Sequence, residues 1–438
     1  MHCFIKSEFD PCSIVLWLKN AWMSKYIFLF ILPSLSLFGN WPQYHGPFLD
    51  KSANSDLLTQ DLTLNTLWKE PTPLGFSSFS ANQEYAYTLI AEEDADGLLW
   101  EWCIAIELSS GKRIWSRQLS LASYGHGGGN AGTSTNSGGD GPRSTPSIEG
   151  NRVFVYDSDM TLHALSAKSG EVLWQADLIK QYSGKNIMWK NASSPLLTHG
   201  VVVVCGGGPG QSFLAFDQST GKVRWKSGDE TPTHATPALA TIDGLNQIIF
   251  LCRSGLIGIN PTDGTELWKQ EFPFKVSTAA SPVVAGNYIF CSAGYGVGAG
   301  LFKVSKKNSS WETEPVWRKR NELMNHWSTP LYFEGKLYGI FGFKEYGKAP
   351  LQCIDLMTGK ILWSKEGFGP GNLIRCGKKL LVLSDDGQLV TVHASPEQYL
   401  EISRDKLLQG KCWSTPVFSS PYLLARSTTE AVAIRFRN

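Results

Sequence analysis

A repeat period of 43 to 59 residues, four short β patterns inside each period, and a Trp-bearing element closing each period predict an all-β fold. Four antiparallel strands per unit of that length make a β-propeller of about eight blades, closed by an N-terminal strand. Ser-Thr-Pro or a near variant opens the units, at Ser144-Thr145-Pro146, Ser193-Ser194-Pro195, Ala235-Thr236-Pro237, Ala280-Ser281-Pro282, Ser328-Thr329-Pro330 and Ser414-Thr415-Pro416. The closing element reads Ala/Gly-x-x-x-x-(Ser/Thr/Asp)-Gly-x-x-x-Trp. It is clearest from Ala105 to Trp115, Ala164 to Trp174, Ala215 to Trp225, Gly258 to Trp268 and Cys353 to Trp363, with a divergent copy at Trp317.

Residues 1–39 differ from the rest. Met23, Ser24 and Lys25 lead into the apolar run Ile27 to Phe38, broken by Pro33 and followed by Gly39, the order of a secretory signal. Cleavage is expected near Asn40. Residues 1–22 then read as an extension, although their apolar stretch Ile14 to Leu18 also permits a two-part anchor. No Cys follows the run where a lipoprotein needs one. These features predict an exported protein, periplasmic or extracellular, without a lipid anchor and with no stable membrane span once the signal is removed.

Residues 40–438 read as one propeller. The segment Thr66-Leu67-Trp68-Lys69 looks like a Trp strand without a blade of its own. The first blade runs from about Phe76 to Leu119, and six more begin near Ser144, Ser193, Ala235, Ala280, Ser328 and Gly371. Within the second, Pro146 opens a strand where a missing N–H is tolerated. Val153 to Tyr156, Leu162 to Leu165 and Val172 to Gln175 follow, separated by turn residues. The Gly371 unit lacks Ser-Thr-Pro and places Tyr399 to Ile402 where a Trp strand belongs. The eighth unit starts at Ser414 and ends one strand short, so the orphan strand around Trp68 is expected to complete it. The tryptophans are read as packing between blades, since each repeat depends on its neighbours for burial.

Forty Lys+Arg against 39 Asp+Glu leave no field to attract nucleic acid, and no basic stripe occurs. Of nine cysteines, two lie before residue 40; the others sit in apolar strand patterns with no C-x-x-C, so they read as free buried thiols. No nucleophile elbow and no H-E-x-x-H supports a hydrolase. The stretch from Gly125 to Gly141 is Gly-rich without the ending of a phosphate loop. Glu92 to Gly97 lacks the spacing of an EF-hand loop and reads as a solvated hairpin tip.

Ala-x-Asp-x-x-(Ser/Thr)-Gly-Lys-x-x-Trp, best kept from Ala215 to Trp225 and from Cys353 to Trp363, resembles the pyrroloquinoline-quinone-type propeller repeat. That repeat occurs in quinoprotein alcohol dehydrogenases and in BamB-like exported proteins. The resemblance covers about residues 65–438. Trp41-Pro42-Gln43-Tyr44-His45-Gly46-Pro47 is similar to the opening of many exported BamB-like proteins. The enzyme branch would imply a calcium-bound quinone, a catalytic Asp and, typically, a disulfide between adjacent cysteines; this sequence has no Cys-Cys pair. One fold hosts many functions, so the resemblance speaks to architecture first.

Turns between strands one and two, and three and four, are uniformly short, as at Glu149-Gly150-Asn151 and Thr220-Gly221. Long connections gather on the other face: Glu92 to Gly97, Leu121 to Pro142, Tyr182 to Asn191, Gly206 to Gln211, Ala293 to Gly300 and Gly342 to Ala349. Long loops on one face of a rigid body are where binding resides. Residues preceding each first strand are expected to ring the opening there: Arg143, Lys190, Asn191, His234, Thr278, Asn325, His326, Trp327, Lys411 and Trp413. Such a set suits an anionic or sugar-like ligand, or satisfies loop backbone and water. The expected function is a non-enzymatic, monomeric binding or scaffold protein with a protein or glycan partner and no cofactor or metal. The alternative is a dehydrogenase of alcohols or sugars using pyrroloquinoline quinone (PQQ) with calcium.

Overall fold

The hairpin that ends each repeat explains the spelling of the motif. The computed structural model describes residues 40–53, 65–124, 141–276, 278–342 and 348–436. In it the small residue opening the motif lies directly across the hairpin from the Trp: Ala105 from Trp115, Ala164 from Trp174, Ala215 from Trp225, Gly258 from Trp268 and Cys353 from Trp363. A large side chain there would collide with the indole. A β-bulge follows each of these pairs and twists the outer strand. The Asp inside the motif caps the turn. Asp217 Oδ1 accepts from the Ser219 and Thr220 backbone N–H groups at 3.0 and 2.9 Å.

The motif glycine meets the Trp of the preceding blade. A Cβ on Gly170 would lie 2.6 Å from the Trp115 ring, one on Gly221 2.6 Å from Trp174, and one on Gly264 2.5 Å from Trp225. The indole N–H then caps a carbonyl of that neighbouring hairpin, as Trp115 does with Ala167 at 3.0 Å and Trp363 with Ser395 at 2.8 Å. Trp268 differs. The next blade carries the long hairpin Gly298–Lys307 with Ser310–Lys319 in place of the usual turn, and the Trp268 N–H donates to Gln247 Oε1 within its own blade.

Eight sheets result. Blades 1 to 7 span residues 80–121, 147–177, 196–227, 238–271, 283–319, 331–365 and 372–406, each four strands in consecutive antiparallel order. The degenerate unit near Gly371 is thus a full blade, with Glu401–Lys406 as its outer strand. Blade 8 takes three strands from residues 417–435 and its outermost from Asn65–Pro71, with Trp68 opposite Ala433. Trp68 is buried and donates to Leu108 O of blade 1 at 2.8 Å. The ring closes as the orphan strand predicts.

The seven cysteines from Cys103 to Cys412 are buried and free. Two details depart from the all-β, long-loop reading. A single turn of helix, Leu178–Gln181, capped by Asp177, opens the connection after blade 2. The connection expected from Ala293 to Gly300 shortens to residues 294–297, because Gly298 and Gly300 join the next strand. Among the described residues no helix is long and apolar enough to cross a membrane. The signal-like residues 1–39 and most of the Gly-rich stretch lie outside the described residues.

Candidate functional site

Ser-Thr-Pro brings the chain to the propeller axis and ties the blades there. The backbone N–H of one copy donates to the hydroxyl of the next: Ser78 to Thr145 at 3.0 Å, Thr145 to Ser194 at 2.9 Å and Ser194 to Thr236 at 2.9 Å. Ser281 to Thr329 at 3.0 Å and Thr415 to Ser78 at 2.8 Å add further links. The Ser281 hydroxyl is buried without a partner among the described residues, so the series is interrupted between blades 4 and 5. Blade 7 has no such tripeptide. Lys51 spans that gap, with Nζ donating to Thr329 O at 2.6 Å and lying 3.5 Å from Asn372 Oδ1. Asn372 in turn donates to Trp413 O at 2.7 Å.

Lys51 belongs to residues 40–53, which cross the inner strands at the end where the turns are short. Trp41 exchanges two 2.8 Å backbone bonds with Ala81 of blade 1, Pro42 O accepts from Ile148 of blade 2, and Gln43 Oε1 accepts from Leu197 of blade 3. Ser52 and Ala53 pair in parallel with Arg375 and Cys376 of blade 7. The Gly in Trp-Pro-Gln-Tyr-His-Gly-Pro is needed because a Cβ on Gly46, at φ +81°, would sit 2.9 Å from the buried Trp41 ring. Sequence reasoning found this motif but not its place.

At the loop-rich end the expected residues fall into three groups. Arg143 donates to Trp189 O at 2.9 Å and lies 4.8 Å from the Tyr124 ring centre. His234 stands beside it, its Nε2 3.1 Å from Met188 O and its ring 6.3 Å from that of Trp189. Burial, and then the Arg143 charge, lower the His234 pKa to about 4, so the imidazole is neutral. Lys190 pairs with Asp159 at 2.6 Å.

The second group is a ladder of rings. Phe76 stacks on Trp413 at 4.7 Å, Trp413 meets Trp327 at 4.4 Å, and Trp327, His326 and Tyr295 follow at 5.0 and 5.2 Å. Lys411 Nζ lies 4.6 Å from the Trp413 ring centre. Burial lowers the Lys411 pKa to about 8 against the opposing pull of Asp385. The Trp327 N–H donates to Pro370 O, just ahead of blade 7, so the ladder bridges the blade that lacks Ser-Thr-Pro. The third group turns toward strand ends. Asn191 Nδ2 bonds the carbonyls of Tyr156, Asp157 and Ser193, Asn325 Nδ2 bonds Ile340 O, and the Thr278 hydroxyl lies 3.4 Å from both Ser292 O and His326 O.

Behind Arg143 lies a network with no signal in the sequence. Tyr124 donates to the buried Glu101 carboxylate, whose other oxygen accepts from Ser158 N at 3.1 Å. Burial and the nearby Asp157 charge raise the Glu101 pKa to about 7. Asp157 also contacts His163 Nε2 at 2.9 Å. At the hairpin tip of residues 92–97, Glu92 pairs with Arg113, and Asp94 accepts from Asp96 N, Leu98 N and the Trp100 indole. Among the described residues no three of His, Cys, Asp and Glu gather as a metal ligand set.

This architecture, eight four-stranded blades carrying the PQQ-type repeat, defines a BamB-like propeller. The family model for the outer membrane protein assembly factor BamB matches residues 101–365, more than half the chain, and the chain belongs to that family. The chain is 23% identical to the outer membrane protein assembly factor BamB of Shewanella oneidensis over 64% of this chain and 71% of that one. It is 24% identical to a tetrathionate hydrolase of Acidithiobacillus ferrooxidans over 52% of this chain, which spans only 37% of the hydrolase. Its fold is similar to that of quinohemoprotein alcohol dehydrogenase from Comamonas testosteroni, with a TM-score of 0.64 and 13% identity over 91% of this chain and 80% of that one. Identity that low speaks to the fold alone.

Proposed function

We propose that the protein is an exported, non-enzymatic propeller that holds a protein partner against its loop-rich face. The observation that carries this reading is the contrast between the two ends. One is crossed by residues 40–53, while the other gathers Arg143, Trp189 and His234 beside the ladder from Phe76 to Tyr295. A protein partner suits the ladder better than a glycan. Sugars stack on free ring faces, whereas Trp413 has Phe76, Trp327 and the Lys411 ammonium against it. What it offers is a half-buried aromatic patch backed by the buried Lys411 ammonium, an aromatic composition like that of interface hot spots. The name of the family model, an assembly factor, agrees with such a role.

The dehydrogenase reading needs a calcium-bound quinone, with oxygen ligands for the calcium. Among the described residues no three of His, Cys, Asp and Glu gather as a ligand set, which favours the binding reading, although Asn325 Oδ1 is buried without a hydrogen-bond partner among them. A two-armed experiment tests the proposal. Exported wild-type protein and an Arg143→Glu/His326→Ala double variant serve as bait for envelope proteins. A partner retained by wild type and reduced at least tenfold with the variant is expected. In parallel, purified protein is mixed with PQQ and calcium. A retained chromophore with alcohol-dependent dye reduction would overturn the non-enzymatic reading.

A further inference from the structure

The motif Trp-Pro-Gln-Tyr-His-Gly-Pro and the lysine after it border a cavity of about 280 Å³ at the short-turn end, opposite the loop-rich face. Its apolar wall comes from the inner strands of blades 4, 5 and 6, through Leu239, Val283, Val284, Leu331 and Tyr332. Asp50, Thr241 and Thr329 also line the cavity, the Asp50 carboxylate accepting from the Ser52 N–H and hydroxyl, and two further polar groups, His45 and Lys51, stand out. His45 is 4% exposed, and its Nε2 has no hydrogen-bond partner among the described residues. Lys51 is 2% exposed, forms no ion pair within 4 Å among the described residues, and uses Nζ on one carbonyl and one amide oxygen. A buried ammonium with only neutral acceptors is costly, as is an unsatisfied buried imidazole nitrogen.

We infer that this cavity is a binding site for a small amphipathic carboxylate, its aliphatic tail along the wall of blades 4 to 6 and its carboxylate between Lys51 Nζ and His45 Nε2. The anion would supply the charge Lys51 lacks, and its second oxygen would accept from the Nε2–H tautomer of His45. The site is independent of the loop-rich face and of the partner proposed there.

The chemistry of Lys51 makes the site pH-sensitive. Burial lowers its pKa to about 7, and burial together with the Lys51 charge lowers that of His45 to about 3. Facing them are Tyr44 and the Asp50 carboxylate on the same segment, Tyr332 from blade 6, and Arg375 from blade 7, whose backbone N–H donates to Lys51 O. The free site is protonated at Lys51 below about pH 7. Above it, an anion must bring a proton with it, so affinity falls by about tenfold per pH unit.

Octanoate is the probe, titrated calorimetrically into the full chain from pH 6 to 9, with octanol and acetate as controls for charge and tail. Saturable octanoate binding is expected, at least tenfold tighter than either control and weakening above pH 7. Lys51→Met should lose binding tenfold or more and flatten the pH profile. Because Lys51 also links blades 6 and 7, Thr241→Trp at the partly open cavity edge provides a second variant that should block binding with the melting curve unchanged. Octanol binding as tightly as octanoate, no saturable binding by wild type, or full binding by a folded Thr241→Trp variant would each overturn the assignment.

Discussion

At the scale of single residues, the motif glycines carry two constraints that substitutions separate. Gly221 has φ +69° and faces the Trp174 ring, where an added Cβ would lie 2.6 Å from the indole. Gly200 has φ +74° with open space beside it. Gly200→Ala should therefore cost only the left-handed conformation, about 1 kcal/mol. Gly221→Ala adds a clash in a packed junction and should cost a further ~1–3 kcal/mol in denaturant titration. Equal losses for the two would contradict the inter-blade role of the glycine. Glu101 makes a pH-dependent contribution. Its folded pKa of about 7 exceeds the ordinary 4.5, so the folded state holds a proton that the unfolded chain has released. That stabilisation is complete below about pH 4.5 and is lost as pH rises to about 7. His45 and His234, with lowered values, act in the opposite direction, so the comparison is with Glu101→Gln. Relative to that variant, wild type should lose about 3 kcal/mol between pH 4.5 and 7. A difference that stays constant with pH would rule this out. Neither Glu101 nor its partners could be singled out from sequence, because burial of one carboxyl between Trp100 and Trp102 depends on blade 2 packing over it.

At the scale of elements, the strand Asn65–Pro71 joins the two ends of the chain. It pairs with Glu430–Arg435 along its length, and Trp68 carries the junction between blades 8 and 1. Trp68→Ala should cost roughly 3–5 kcal/mol, as burial of a large aromatic in a tight site implies. Deleting residues 65–71 should lower the melting temperature further still, since it also exposes the edge of blade 8. An unchanged melting curve after deletion would contradict this closure. This strand was legible in the sequence, because its Trp spacing matched the repeat and the last unit was one strand short. The hidden blade 7 was legible for a similar reason: the distance between flanking Ser-Thr-Pro copies left room for it. Residues 40–53 were not legible as an element. They have no periodicity, and their bonds go to blades 1, 2, 3, 6 and 7, which are far apart in the chain.

At the scale of the molecule, the two faces differ, and that asymmetry supports the functional reading. If the loop-rich face holds a protein partner, Arg143→Glu/His326→Ala should weaken capture at least tenfold, whereas Thr241→Trp at the opposite end should leave it unchanged. Loss of capture by the Thr241 variant instead would assign the partner to the wrong face. Among the residues expected to ring the opening, Arg143 and His234 meet on one side, and His326, Trp327, Trp413 and Lys411 on another. Asn191, Thr278 and Asn325 turn instead to strand-end carbonyls. Their chain positions are equivalent, so the sequence could not separate the groups. By itself the sequence determined the blade count, the closing strand and the role of the tryptophans, because those depend on spacing and hairpin chemistry repeated locally in every unit. Only the tertiary structure decided which of these side chains meet, that Lys51 spans the gap at blade 7, and that one end is crossed by the chain's own motif. Those outcomes depend on contacts between residues hundreds of positions apart, set by ring closure rather than by any local pattern.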